Sequence, residues 1–175
     1  MAGVKTLSEY EKGWLSGVID GEGSISVVWH NRKLGRLRKN GRRSPLPTVP
    51  PCPTVRITVT NTYIPFLEKV KEVTGVGTIH PKLSKRHSES RRKPGWTYQC
   101  SNQSQVRQVL DHVELIIKEE LRILALELLD LKTQYKRNGQ GTNPEIRLRA
   151  IEVAQKMCSL NDGRKEEHNA RSSCL

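Results

Sequence analysis

The chain is poor in apolar sequence and lacks a long stretch of it. Of its 175 residues, 35% are hydrophobic, and nowhere do about 18 of them run together, so no membrane-spanning segment is expected. Residues 1–11 hold no apolar signal-peptide core, which points away from secretion and toward an intracellular protein. Cys52, Cys100, Cys158 and Cys174 are too scattered to form a disulfide framework or a zinc site, and they fit a reducing compartment. There is no H-E-x-x-H and no G-x-S-x-G, and no cysteine-based catalytic site is apparent, so zinc hydrolysis and nucleophilic serine or cysteine chemistry are not expected. Gly75-Val76-Gly77 lacks the Lys and Ser/Thr of a phosphate loop and reads as a turn. No organic cofactor is implied.

What is abundant is positive charge, and its placement is informative. The net charge is +12. Residues 30–43 hold seven Lys and Arg and no acid, and residues 82–95 hold six with a single acid, Glu89. These two segments carry +7 and +5 and account for the whole excess, because the remaining basic and acidic residues cancel. Such a concentration suits a polyanionic partner, although two solvated basic loops would look the same.

Periodicity supplies the framework, read as a single domain over residues 1–175. Residues 6–21 read as a helix, with Ser8 and Glu11 as a capping box and Tyr10, Trp14, Leu15, Val18 and Ile19 as its apolar stripe. Gly13 and Gly17 fall on one face, where each costs about 1 kcal/mol against Ala. Strands are expected at 24–30, 55–61, 78–84 and 96–101, each alternating apolar and polar side chains. In the first, Ile25, Val27 and Trp29 face the core. In the second, Val55, Ile57 and Val59 alternate with Arg56, Thr58 and Thr60. A helix at 64–74 presents Phe66, Leu67, Val70 and Val73, and further helices are expected at 103–114, 118–136 and 144–160. The order is αββαββ followed by C-terminal helices: an α+β fold whose antiparallel sheet carries helices on one face and leaves a polar face bare. The basic segments then become hairpin connections, 31–54 and 84–95, the first studded with Pro45, Pro47, Pro50, Pro51 and Pro53.

At the end of the first helix, Asp20 and Glu22 stand among glycines. A helix C-terminus is the negative end of the dipole, which disfavours each carboxylate by about 0.3–1 kcal/mol. A hard cation such as Mg²⁺, held by a carboxylate and a backbone carbonyl, would reverse that sign. A helix cap followed by a solvated turn is the other reading of the same residues.

The segment Leu15-Ser16-Gly17-Val18-Ile19-Asp20-Gly21-Glu22-Gly23-Ser24 resembles the signature of the LAGLIDADG homing endonucleases. The resemblance extends over most of the chain: the αββαββ order, Val59-Thr60-Asn61, Gly75-Val76-Gly77, Leu115-Ile116-Ile117-Lys118, and Ser159-Leu160-Asn161-Asp162. One copy of the motif is present, as in the single-motif subfamily whose members act as homodimers. It implies that the motif helix packs against its own copy through Gly13 and Gly17, bringing two Glu22 side chains together beside the scissile phosphates. By the same resemblance, Glu22 and the Gly21 carbonyl hold the metal, Mg²⁺ with Mn²⁺ or Ca²⁺ as substitutes. Lys118 stabilises charge around the phosphate, and Asn61 organises water. Asp20, grouped with this centre, serves packing or the turn more than chemistry. Two acids, a lysine and divalent ions would hydrolyse a phosphodiester without a nucleophilic side chain.

The implied partner is double-stranded DNA at a long pseudo-palindromic site. From the polar strand face the expected contacts are Ser26, Val28, His30, Arg32, Arg56, Thr58, His80, Lys82, Thr97 and Gln99, with Arg56 suited to guanine and Gln99 to adenine. Lys33, Arg36, Arg38, Arg42, Arg43, Lys85, Arg86 and Arg91 suit phosphates, with Arg164 and Lys165 adding backbone contacts. The competing function is a non-catalytic nucleic-acid binder on the same fold, either an intron RNA maturase or a DNA-binding regulator. The host compartment could be an archaeal cytoplasm or an organelle. Deleting residues 36–43 should weaken nucleic-acid binding and flatten its salt dependence by about 0.9 in log–log slope for each phosphate that the loop neutralises; an unchanged slope would place this loop off the phosphates.

Overall fold

Ser8 opens the first helix through the reciprocal bonds its spacing predicts. Its Oγ accepts from Glu11 N at 3.3 Å, and its own N–H donates to Glu11 Oε2 at 2.9 Å, which satisfies two amides that helix geometry leaves without partners. The computed structural model describes residues 6–29, 53–82, 95–137 and 143–172. The elements are α1 (Glu9–Gly21), β1 (Gly23–Trp29), β2 (Pro53–Asn61), α2 (Ile64–Thr74), β3 (Thr78–Pro81), β4 (Trp96–Cys100), α3 (Gln103–Asp111), α4 (Glu119–Arg137) and α5 (Pro144–Ser172). This is the expected αββαββ order with C-terminal helices.

The four strands form one antiparallel sheet in the order β1-β2-β4-β3. Alternation decides its two faces. Val55, Ile57 and Val59 are at most 1% exposed, while Arg56, Thr58 and Thr60 between them are only half-buried. Ile25, Tyr98 and Cys100 join the buried side, together with Leu15 and Ile19 of α1, Leu67 and Val70 of α2, Val106 of α3, Leu121 and Leu128 of α4, and Met157 of α5. Trp29 and Trp96 pack against this core, as do Phe66 and Ile79. Burial pushes the Cys100 thiol up to about 11, so it remains protonated and inert at neutral pH.

Several local features set the geometry. α2 ends at Gly75, with φ of 67°, and Gly77 follows at φ of 84°. A Cβ on Gly77 would lie 2.6 Å from Cε2 of Tyr98, whose buried hydroxyl donates to Thr74 Oγ1 at 3.1 Å. Where β4 stops, the Gln103 side chain continues the ladder: its Nε2 donates to Val55 O at 2.9 Å and its Oε1 accepts from Val55 N at 3.2 Å. On the opposite edge, Asn161 Nδ2 donates to the Ile25 carbonyl at 3.0 Å, which fastens α5 to β1.

The structure revises several expectations. The first helix begins at Glu9 rather than at residue 6, directly after the Ser8 cap that the capping box predicts. Tyr10, placed in the apolar stripe, is 80% exposed, while Leu7 before it and Leu15 after it are buried. The helix expected to reach 114 ends at Asp111, and residues 112–118 form an irregular connection that runs back along α1. The last helix continues to Ser172 rather than stopping at 160. Among the described residues no helix is long and apolar enough to cross a membrane. Of the loops assigned to 31–54 and 84–95, only residues 53, 54 and 95 lie within the described residues.

Gly77 combines a left-handed backbone with a steric demand, so Gly77→Ala should lower the unfolding free energy by about 1–3 kcal/mol in a urea titration.

Candidate active site and nucleic-acid interface

Two acids alternate with two glycines where α1 gives way to β1. A Cβ on Gly23 would fall 2.8 Å from both Cα and O of Ile19, so only glycine lets the chain turn this tightly off the helix. The turn leaves Glu22 as the C-cap, its N–H donating to Val18 O at 2.9 Å. The Glu22 side chain is exposed and has no hydrogen-bond or ion-pair partner among the described residues. An unpaired carboxylate at the negative end of a helix is electrostatically unfavourable, and a cation would relieve it.

Asp20 differs in every respect. Its Oδ2 accepts from Ile116 N at 2.6 Å and Ile117 N at 3.2 Å, and its Oδ1 accepts from Lys118 N at 3.0 Å. Three amides that precede or open α4 are thereby satisfied by one carboxylate. The Lys118 ammonium returns in the other direction, donating to the carbonyls of Ile19 (2.8 Å) and Asp20. One turn earlier, Ser16 Oγ accepts from Glu114 N at 3.0 Å. The structure therefore joins Asp20 and Lys118 directly, across 98 positions of sequence. Both oxygens of Asp20 point at the backbone of this connection. Ser16 was not anticipated, although a serine four residues before Asp20 on an otherwise apolar helix face was the available signal.

Asn61 ends β2. Continuing the register of Gly23 with Val59 by two residues brings Asn61 level with Gly21. Its Oδ1 accepts from Tyr63 N at 2.9 Å in a turn at the strand end, and its amide nitrogen is left for another partner.

Beyond this end the polar face is organised in cross-strand rows. Ser24, Thr58, Gln99 and Thr78 form one row; Thr60, Thr97 and His80 form the next, the one level with Glu22; Ser26 pairs with Arg56 in a third. Thr60 and Thr97 share a 3.2 Å hydrogen bond, Thr78 and His80 one of 3.1 Å, and Gln99 Nε2 donates to Ser101 Oγ at 2.8 Å. Val28 lies opposite Thr54 further along, and Lys82 follows β3, exposed. The Nε of Arg56 is shielded from solvent and has no partner among the described residues, a deficit of about 1–3 kcal/mol that an incoming acceptor would remove. His30, Arg32, Lys33, Arg36, Arg38, Arg42, Arg43, Lys85, Arg86 and Arg91 lie outside the described residues, as do the side chains of Arg164 and Lys165 on α5.

A second surface lies along α1. Gly13, Gly17 and Gly21 are spaced four apart, and a Cβ at any of them would meet nothing within 4 Å. The connection held by Asp20 adds Ile116 and Ile117, 92% and 65% exposed. No group of three or more metal-ligating side chains occurs among the described residues; one chain offers the Glu22 carboxylate with neighbouring carbonyls.

No protein-family model and no curated protein matches the chain. Solved structures do. The archaeal intron-encoded homing endonuclease I-Vdi141I, complexed with DNA, matches with a TM-score of 0.62 at 16% identity, over 86% of this chain and 84% of that one. I-CvuI, in complex with its target in the presence of calcium, matches at 0.62 and 17%, over 87% and 85%. The LAGLIDADG meganuclease I-CpaMI, bound to uncleaved DNA, matches at 0.54 and 16%, over 80% of this chain but 41% of that longer one. The chain has the α+β fold of these homing endonucleases.

Asp20→Asn would turn an amide donor toward backbone N–H groups. It should cost about 1–3 kcal/mol of stability and accelerate hydrogen exchange at the amides of Ile116, Ile117 and Lys118; unchanged exchange there would mean that Asp20 does not hold the connection.

Proposed function

We propose that this chain is a site-specific DNA endonuclease of the single-motif LAGLIDADG type, acting as a homodimer with divalent metal ions to make double-strand breaks at a pseudo-palindromic site. The observation that carries this reading is the unpaired Glu22 carboxylate at the negative end of α1, level with the first polar row of the sheet. A group that attracts a cation thus stands beside a surface of hydrogen-bonding side chains, and the DNA-bound neighbours support the use of that face for a duplex here. A hard cation fits the donor set: an exposed carboxylate, the adjacent Gly21 carbonyl and open space beside it are oxygen ligands of the kind Mg²⁺ takes. A divalent ion held there would supply Lewis-acid stabilisation of the phosphate and a more acidic water.

The chain's own residues do the rest. Glu22 and the Gly21 carbonyl hold the ion. Lys118, fixed at both its amide and its ammonium, adds positive charge beside the same helix end. Asn61 presents its amide nitrogen toward the water that surrounds the phosphate. Arg56, Thr58, Thr97, Gln99, Ser26, Val28, His80 and Lys82 line the groove side, with Arg56 satisfying its stranded Nε on a base or phosphate acceptor. The loops at 31–54 and 84–95 supply the counter-charge for the backbone.

A single copy holds only one Glu22, whereas both strands of the duplex must be cut. The open Gly13, Gly17 and Gly21 stripe supports packing of α1 on a second α1, with Ile116 and Ile117 covered in the same contact. That the I-CpaMI match takes in 41% of the longer chain supports two such units per duplex.

The test uses purified protein, Mg²⁺ and DNA carrying the intron-free form of its insertion site. Wild type should cut with a short stagger, whereas Glu22→Gln should bind and not cut. Binding without cleavage in both Mg²⁺ and Mn²⁺ would favour the regulator or maturase reading. A monomeric mass on the DNA-free protein would remove the dimer.

A further inference from the structure

The C-terminal turn of α1 contains no basic residue, yet two acids sit at its end. A helix usually offsets the partial negative charge there with Lys or Arg in the last turn. Here the offset comes from the far side of the fold. Lys118 Nζ donates to the carbonyls of Ile19 and Asp20, and the Lys118 N–H donates to Oδ1 of Asp20. Asp20 in turn is satisfied by dipoles, the amides of Ile116, Ile117 and Lys118, rather than by a charge of its own. Among the described residues, Lys118 is thus the cation hydrogen-bonded to the helix end on which Glu22 stands.

We infer that Lys118 is the resident counter-cation of the α1 C-terminus, stabilising the ion-free protein and electrostatically opposing a divalent ion at Glu22. This rests on the assignment of Glu22 and the Gly21 carbonyl as the ion's ligands. The Lys118 amide is held by Asp20 and its ammonium by the carbonyls of Ile19 and Asp20, so moving the ammonium off the helix end would strip those carbonyls of this donor. A second cation must then bind against it. Lys118 is on this account a positioning residue that sets how tightly the centre takes up metal, apart from any contact it makes with a phosphate.

The experiment is thermal unfolding of the full chain, in EDTA and across a CaCl₂ titration, for wild type, Lys118→Met, Lys118→Gln, Lys118→Arg and Glu22→Gln. The two neutral variants should melt about 2–4 °C lower than wild type in EDTA. Their Ca²⁺ midpoints should be about threefold tighter than wild type, since a neighbouring like charge has been removed. Lys118→Arg should restore both values toward wild type. Neutral variants with an unchanged melting temperature in EDTA, or with an unchanged Ca²⁺ midpoint, would overturn the inference, because a purely structural lysine would alter stability without altering ion affinity. A Ca²⁺ response that is lost in Glu22→Gln but identical in the Lys118 variants overturns this inference alone and keeps the metal assignment. A Ca²⁺ response undiminished in Glu22→Gln, or absent from wild type, overturns both.

Discussion

The reciprocal bond between residues 20 and 118 holds the functional end of the molecule together. Asp20 gives its two oxygens to three amides at the start of α4, and Lys118 returns its ammonium to the carbonyls at the end of α1. Each side supplies what the other lacks: the connection before α4 has amides that no helix satisfies, and the end of α1 has carbonyls without helical partners. One pair of residues therefore satisfies the backbone on both sides. The arrangement also separates two neighbouring acids into different duties. Asp20 is spent on backbone, and Glu22, two positions later, is left open to solvent.

The rest of the fold sets that end beside a polar sheet face. Helices bury one face of the sheet and, through Gln103 and Asn161, also tie down backbone at β2 and β1. The opposite face keeps a regular lattice of hydroxyls and amides with few charges of its own, while the sequence concentrates its cations in the strand connections at either end. Under the proposed function, reading and holding fall to different parts of the chain. Short polar side chains on strands are stiff enough to discriminate between base edges, and long basic ones suit a uniformly charged backbone.

Much of this was legible locally. The Ser8–Glu11 spacing announced the start of α1, the alternation in Val55–Asn61 marked the two sheet faces, and Gly75 and Gly77 signalled a turn that needs positive φ. The motif resemblance singled out Glu22 and Lys118, which the structure places at the same end of α1. What could not be read was the path of residues 112–118. That path is set by Ser16 and Asp20, nearly a hundred positions earlier, and no local propensity encodes so distant a hydrogen bond. The exposure of Tyr10 was hidden as well, since helical periodicity marks an apolar stripe without saying which of its members the tertiary packing covers. The last helix ran on because nothing in residues 161–172 breaks a helix strongly, even though its apolar pattern has faded by then.

The hydrogen bond between Asp20 and Ile116 spans 96 residues and encloses every strand of the sheet. A pairing of such long range closes late in folding, after the entropy of a large loop has been spent. During synthesis the motif helix emerges near the beginning of the chain, but its partner residues follow only once both hairpins have been made. The acidic turn and its lysine therefore cannot meet until residue 118 has been made, and a chain interrupted anywhere before α4 carries the signature sequence without an assembled centre. For a protein whose proposed chemistry is irreversible damage to a genome, the topology itself acts as a completeness check.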